Sequence, residues 1–258
     1  MRIASWNVNS LNVRMPHMEQ WLRETQPDVV ALQETKLEDS RFPDTALATL
    51  GYRSVFAGQK SYNGVALLVR HGFGDVTDVV TALPDFPDPQ KRVIAATIAG
   101  TRVVNLYVPN GQTVGSDKYR YKLDWCAAVT AWLAGEVARA TNIAVAGDFN
   151  IAPEDRDVHD PLAWEGQVMC SVPERAVFRS WQALGLVDSF RLFEQPPNTF
   201  SWWDYRMLAF PKNRGLRIDH ILLSPSLAAS CTACHIDRPM RKGEKPSDHA
   251  PVIAEIAP

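Results

Sequence analysis

The sequence predicts an α/β protein of two mainly antiparallel β-sheets packed face to face, with helices on the outer faces. Three observations point there. Several strand-like segments are continuous apolar runs, as expected of strands covered on both faces. Some of these segments are separated only by turn-sized gaps, which makes hairpins and argues against a doubly wound parallel sheet. Segments of helical periodicity lie between other strands and must pack outside them. With 258 residues and no Gly/Ser- or Pro-rich linker, the chain reads as a single domain over residues 1–258.

The elements follow in order. A strand over residues 3–7 ends in Asn7, and a helix from Asn12 to about Glu24 carries Met15, Met18 and Leu22 on one face, with Trp21 beside them, until Pro27 breaks it. The strand over 28–34 is apolar through Leu32 and then abruptly polar at Gln33 and Glu34. Residues 52–57 and 64–70 form a hairpin with turn chemistry at Tyr62-Asn-Gly64, and 92–98 with 101–108 a second around Gly100. The longest helix, 118–140, spaces Leu123, Ala127, Thr130 and Ala134 along one face and feeds a buried strand over 143–146. Residues 153–172 are irregular. A helix from Pro173 to Ala183 stops at Gly185, and the last strands cover 216–223, 233–237 and 251–256.

Composition excludes several classes. Hydrophobic residues make up 46% and charged ones 22%, with no apolar run near the roughly 18 residues of a membrane span. The N-terminus enters strand-like alternation directly, without an export signal, so the expectation is a cytoplasmic protein with no membrane partner. Cys126, Cys170, Cys231 and Cys234 are too scattered for a disulfide framework. Cys231-Thr-Ala-Cys-His235 matches a c-type haem attachment pattern, but without export or a second Cys/His pair it reads as incidental thiols in a strand. The net charge of −2 predicts no indiscriminate affinity for polyanions. Two local clusters, Lys212/Arg214/Arg217 and Arg238/Arg241/Lys242/Lys245, are candidate phosphate contacts.

Function is written at the strand ends. After the run Ile143 to Ala146, Gly147 permits close backbone approach while Asp148 and Asn150, two residues apart, project to one side. Asn7, Glu34 and Tyr107 end other strands; Asp219 and His220 begin one, and Asp248-His249 precede the last. Antiparallel neighbours place starts beside ends, so all can share one edge of the sandwich. Each alone has an ordinary reading: a turn cap, a half-buried tyrosine, a surface histidine. Four carboxylates together repel one another unless a cation joins them. Oxygen donors without thiolates suit a hard ion, Mg²⁺, which binds phosphate directly. Glu34 is then the first ligand, Asp148 orients or deprotonates a water, Asn150 fixes that carboxylate or the phosphate, and His249, held by an acid such as Asp219, faces the developing charge.

Leu32-Gln-Glu-Thr-Lys36, Gly147-Asp-Phe-Asn150, Gly215-Leu-Arg-Ile-Asp-His220 and Pro246-Ser-Asp-His-Ala-Pro251 resemble, in this order, the exonuclease III family of DNA repair nucleases. The likeness covers essentially the whole chain, including Ser5-Trp-Asn-Val-Asn9, Gly58-Gln-Lys60 and Phe200-Ser-Trp-Trp-Asp-Tyr-Arg206. It implies a four-layered, DNase I-like α/β sandwich and a monomeric enzyme. The implied activity is Mg²⁺-dependent, with Mn²⁺ as a substitute, at abasic sites and at damaged or blocked 3′ ends of duplex DNA. By this resemblance Asn7, Glu34 and Asp248 belong to the metal site, with Asp148 and Asn150 available to a second ion. Tyr107, Asp148, Asn150, Asp219 and His249 are catalytic. Trp202 and Leu216 form a pocket for an abasic sugar, while Arg206, Asn213 and Lys118 contact DNA.

The segment 157–172 is the least patterned, and in this fold it lies near the site, where Val168 or Met169 could narrow the sugar pocket. That would leave a 3′-end-processing exonuclease with little abasic-site incision. Two other readings use the same chain differently. A superfamily phosphatase or phospholipase would turn the basic clusters to a compact polyphosphate, and a DNA-end binding module would have lost catalysis, against the intact set from Asn7 to His249.

Overall fold

Two six-stranded mixed sheets form the centre of the computed structural model, which describes residues 1–257. In chain order the elements are β1 (Arg2–Asn7), α1 (Leu11–Thr25), β2 (Val29–Gln33), α2 (Asp44–Thr49), β3 (Tyr52–Ala57), β4 (Val65–Arg70), β5 (Val76–Val80), β6 (Val93–Ile98) and β7 (Thr101–Tyr107). Then follow α3 (Asp117–Arg139), β8 (Ile143–Asp148), α4 (Pro161–Trp164), α5 (Val172–Ala183), β9 (Val187–Asp188), β10 (Asp219–Leu223), α6 (Pro225–Ala229), β11 (Cys231–Ile236) and β12 (Val252–Ile256). One sheet has the order β11-β12-β1-β2-β4-β3, the other β5-β6-β7-β8-β10-β9.

Both sheets are antiparallel except at their centres, where β1 runs parallel to β2 and β7 parallel to β8. A parallel neighbour needs a crossover long enough to return the chain, and α1 and α3 supply it. Strand ends therefore coincide in pairs: Asn7 beside Gln33, and Tyr107 beside Asp148. β10 enters antiparallel to β8 with Asp219 opposite Asp148. The polar residues gather on one edge because these registers leave them no other place.

Between the sheets, Ile3, Val29, Ala31 and Leu67 meet Ile94, Val103, Ala144 and Ile221 in one buried cluster. Outside, Met18, Trp21 and Leu22 of α1 cover Trp6, Val30 and Leu32, while Trp125 and Val129 of α3 with Phe178 and Trp181 of α5 cover Val104, Leu106 and Val145. Burying a large apolar side chain stabilises by about 1.5–3 kcal/mol, so these two helix-to-sheet layers set the outer geometry of the four-layered sandwich. No helix among the described residues is long and apolar enough to cross a membrane, and all four cysteines are free.

Some expectations change. The last-but-two strand begins at Asp219, not 216, because Leu216 instead bridges Val158 and Trp202. β5 lies where no strand was expected: its residues are mostly exposed and it carries a register shift at Asp78 (φ 50°), so no apolar pattern marks it. The basic clusters are not intact phosphate surfaces. Arg217 is buried, 1% exposed, between Asp157 and Asp188, and Arg241 is buried with its guanidinium on the carbonyl of Ser247. A guanidinium needs acceptors wherever it lies, and these two find theirs inside.

Candidate active site

Asn7 links the two sheets at their shared edge, because its Nδ2 donates to Glu34 Oε1 at 2.9 Å and to Asp148 Oδ2 at 2.9 Å. Glu34 leaves β2 in the left-handed region (φ 52°), which swings its carboxylate back toward Asn7, and Lys36 Nζ lies 2.8 Å from Glu34 Oε2. Burial opposes ionisation of Glu34, but the Lys36 charge and the hydrogen bonds from Lys36 and Asn7 hold it below its ordinary value.

Asp148 is held from its own turn. Gly147 has φ 155°, and a Cβ built there would lie 2.0 Å from the Leu106 carbonyl oxygen, so only glycine lets β8 approach β7 this closely. Beyond it, Asn150 (φ 48°) donates its backbone N–H to Asp148 Oδ1 at 2.9 Å and its side-chain amide to Asp148 Oδ2 at 3.2 Å. Asn150 Nδ2 also reaches the Val108 carbonyl at 3.0 Å, and Asn110 Nδ2 donates to Asn150 Oδ1 at 3.1 Å.

A relay closes the opposite side. Ser201 Oγ donates to Asp219 Oδ2 at 2.6 Å, His249 Nδ1 lies 2.8 Å from the same oxygen, and His249 Nε2 faces Asp148 Oδ2 at 3.7 Å. Burial alone would neutralise His249, yet the charges of Asp219 and Asp148 dominate and raise it to about 10. The imidazolium stands beside Asp148, whose own pKa rises to about 7 through burial and the nearby carboxylates Asp219 and Glu34. Tyr107 packs under the Arg92 guanidinium, 4.6 Å from its ring centroid, and burial with the Glu34 charge keeps its hydroxyl protonated.

Side-chain donor atoms of Glu34, Asp148 and His249 all lie within 4.8 Å of one another. Glu34, Asp148, Asp219 and Asp248 outnumber the cationic side chains of the site, Lys36, His249 and Arg92. Such a surplus of buried negative charge, with hard oxygen donors and no thiolate, fits a divalent cation of the Mg²⁺ type. Asp248 stands slightly apart, with its oxygens accepting from Asn9 Nδ2 at 2.8 Å and Trp202 Nε1 at 3.0 Å.

Residues 4–249 match the Endonuclease/Exonuclease/phosphatase family. The chain is 38% identical to exodeoxyribonuclease III of Haemophilus influenzae, with 99% of this chain and 100% of that protein covered. It belongs to the exonuclease III group of that family. Its backbone superposes with TM-score 0.97 on the Neisseria 3′ phosphatase NExo, solved bound to a product DNA hairpin, at 45% identity over 100% of this chain and 99% of that one. An AP endonuclease from Archaeoglobus fulgidus superposes with TM-score 0.94 at 37% identity, with 100% of both chains covered. This exonuclease III relative is accordingly a nuclease, a hydrolase of a metal-dependent DNA repair family.

The other expected residues surround the cluster without joining it. Trp202 is half-buried and bridges Leu216 and His249, while Leu216 is fully buried. Trp203 points inward and packs edge-on to Phe210. Arg206 and Lys118 are exposed, the first beside Asp204 and the second in the first turn of α3. Asn213 serves the Trp203 side: its Oδ1 accepts the indole N–H at 3.1 Å and its Nδ2 donates to the Asn198 carbonyl at 2.9 Å. Val168 is half-buried and Met169 buried in a cluster with Leu216, Ile218 and Trp202.

Ser201, Lys36, Asn9 and Arg92 join the site of this exonuclease III relative without being singled out by its sequence. Lys36 lies inside a quoted motif and was legible there. Asn9 and Ser201 also lie inside quoted motifs, but nothing in the sequence shows that Ser201 holds an aspartate 18 residues on.

Proposed function

We propose that this protein is a Mg²⁺-dependent phosphodiesterase that removes or trims damaged 3′ ends of duplex DNA. The observation that carries this is the convergence of Asn7, Glu34, Asp148, Asn150, Asp219 and His249 on one edge, in two hydrogen-bonded sets, Glu34–Asn7–Asp148–Asn150 and Asp219–His249, that meet where His249 Nε2 lies 3.7 Å from Asp148 Oδ2. Glu34 and Asp148, with Asn7 between them and Asp248 nearby, would hold the ion, and Asn150 would add a ligand for a second ion. The bound cation supplies charge neutralisation for the scissile phosphate.

The side chains divide the remaining work. Asp148, its pKa near 7, takes a proton from the attacking water while Asn150 and Asn7 hold its carboxylate in line. The water oxygen bonds to phosphorus as the bond to the leaving oxygen breaks. His249, kept cationic and oriented by Asp219, faces the phosphate oxygens where negative charge grows, and the protonated Tyr107 hydroxyl donates to the same region.

Met169 decides which DNA enters. Its side chain fills the space beside Leu216 and Trp202, the apolar walls proposed for a base-less sugar. The 45% identity to a 3′ phosphatase, against 37% to an AP endonuclease, supports the same reading: 3′-end processing dominates over abasic-site incision. A gel assay on duplexes with an abasic site, a blocked 3′ end or a recessed 3′ end, with Mg²⁺ or EDTA, tests both claims. Metal-dependent trimming by the wild type, lost in Asp148→Asn, is expected, together with faster abasic incision by Met169→Gly. Absence of metal-dependent cleavage on every duplex overturns the activity; equal, fast abasic incision by wild type and Met169→Gly overturns only the role of Met169.

A further inference from the structure

We propose that the buried ion pair between Lys122 of α3 and Glu174 of α5 is a positioning device that locks the Asn150 turn to the Met169 loop. Neither residue touches substrate. Both side chains are 0% exposed, and the desolvation of two charges is a cost that one salt bridge alone offsets poorly. What the pair holds besides itself explains its presence.

Lys122 Nζ spends its remaining donors on two backbone carbonyls, Asn150 O at 2.7 Å and Asn110 O at 3.2 Å. Asn110 in turn holds the Asn150 side chain. Glu174 Oε1 accepts the Met169 backbone N–H at 2.9 Å, and Oε2 accepts the Ser171 N–H at 3.1 Å and the Ser171 hydroxyl. A direct bond, Ala152 N–H to the Met169 carbonyl at 2.8 Å, runs alongside. The residues reached beyond the pair thus all lie in the segments flanking the site.

Both anchored residues have strained backbones. Asn150 (φ 48°) and Met169 (φ 73°) are left-handed without being glycine, a state that persists only when its surroundings over-determine it. The Lys122 stem adds a wedge. Gly111 (φ 91°) packs so tightly that a Cβ built on it would lie 3.1 Å from Lys122 Cδ and 3.3 Å from Val168 Cγ2. The turn after β7, the catalytic turn and the specificity loop thereby meet on one buried ammonium.

This inference rests on the reading that Asn150 acts in catalysis, and its test separates the two. The double variant Lys122→Met/Glu174→Leu removes both charges and retains the volume, a replacement that often leaves stability near the wild type. On a recessed 3′ duplex its kcat should fall roughly 10- to 100-fold with KM little changed, the size of effect expected from sub-ångström misplacement of a catalytic group. A variant with wild-type Tm and wild-type kcat overturns the proposal. Glu174→Gln, which keeps an oxygen for the Met169 N–H, gives a second measure. Combined with Asn150→Ala it should lower kcat no further than Asn150→Ala alone, and fully additive losses overturn the proposal. Asn150→Ala with unimpaired kcat refutes the catalytic role of Asn150 itself.

Discussion

His249 and His220 are both fully buried, both beside aspartates, and they carry opposite charge states at neutral pH. His249 donates to Asp219 and faces Asp148, and these acids overcome burial to raise it to about 10. His220 donates through Nε2 to the Ile151 carbonyl at 2.9 Å and accepts from Arg217 at Nδ1; burial, reinforced by the Arg217 charge, lowers it to about 4. Burial acts in the same direction on both, so the neighbours decide. Around His220 the charges close on themselves, two guanidiniums (Arg217, Arg191) against two acids (Asp157, Asp188). Around His249 they do not: Glu34, Asp148, Asp219 and Asp248 outnumber Lys36, Arg92 and His249. A closed set builds structure, and an open one has room for the ion and the phosphate proposed for it.

The contrast can be broken in both places. Asp148→Asn should lower kcat on a recessed 3′ duplex by about 10²–10⁴-fold, the usual worth of a general base, with the protein still folded by circular dichroism. Arg217→Met leaves Asp188 buried without a counter-charge and Asp157 with Arg191 alone, and should cost about 3–5 kcal/mol, read as a fall in Tm at roughly 2–4 °C per kcal/mol. Saturating Mg²⁺ should raise the Tm of the wild type by the equivalent of about 2.7 kcal/mol at a hundredfold excess over Kd, and Glu34→Gln should abolish that rise.

Smaller effects have opposite signs in the two clusters. In EDTA at pH 8, Asp148→Asn relieves repulsion and should raise Tm, whereas Asp157→Asn should lower it, because burial opposes the Asp157 charge but Arg217 and Arg191 overcome it and hold the carboxyl below its ordinary value. The histidines differ likewise in pH. The folded state binds the His249 proton more tightly than the unfolded chain, so its stabilisation is complete below about pH 6.5 and lost as pH rises toward 10. His220 stays neutral in the fold while the unfolded chain protonates, so stability is lost as pH falls from about 6.5 to 4. Difference curves for His249→Asn and His220→Asn should show slopes only in those respective windows; coincident windows would remove the contrast.

The site was more legible than the fold around it. Short apolar runs ending in Asn7, Glu34, Tyr107 and Asp148 announce strand ends, because a polar residue farther inside a strand covered on both faces needs buried partners of its own, as Asn105 of β7 finds in the Leu32 and Ala66 carbonyls. What the runs do not encode is direction, so the parallel pairing of β1 with β2 and of β7 with β8 is invisible in them. The charge clusters mislead for a related reason. Arg217 is three residues from Arg214 in sequence, but its partner Asp157 lies 60 residues away, and only the tertiary structure reveals which guanidinium is already satisfied. Met169 and Lys122 differ in how far they show. The loop around Met169 draws attention to it, whereas Lys122 resembles any other lysine on a helix until its burial is known.

β1 lies between β2 and β12, with Arg2 opposite Glu255, so the sheet that carries Asn7 and Glu34 is sewn together from the two ends of the chain. During synthesis the first 150 residues already hold Asn7, Glu34, Asp148 and Asn150, yet His249 and the strand that seats it arrive among the last. The edge that gathers Asn7, Glu34, Asp148 and His249 is therefore complete only once β12 has paired with β1.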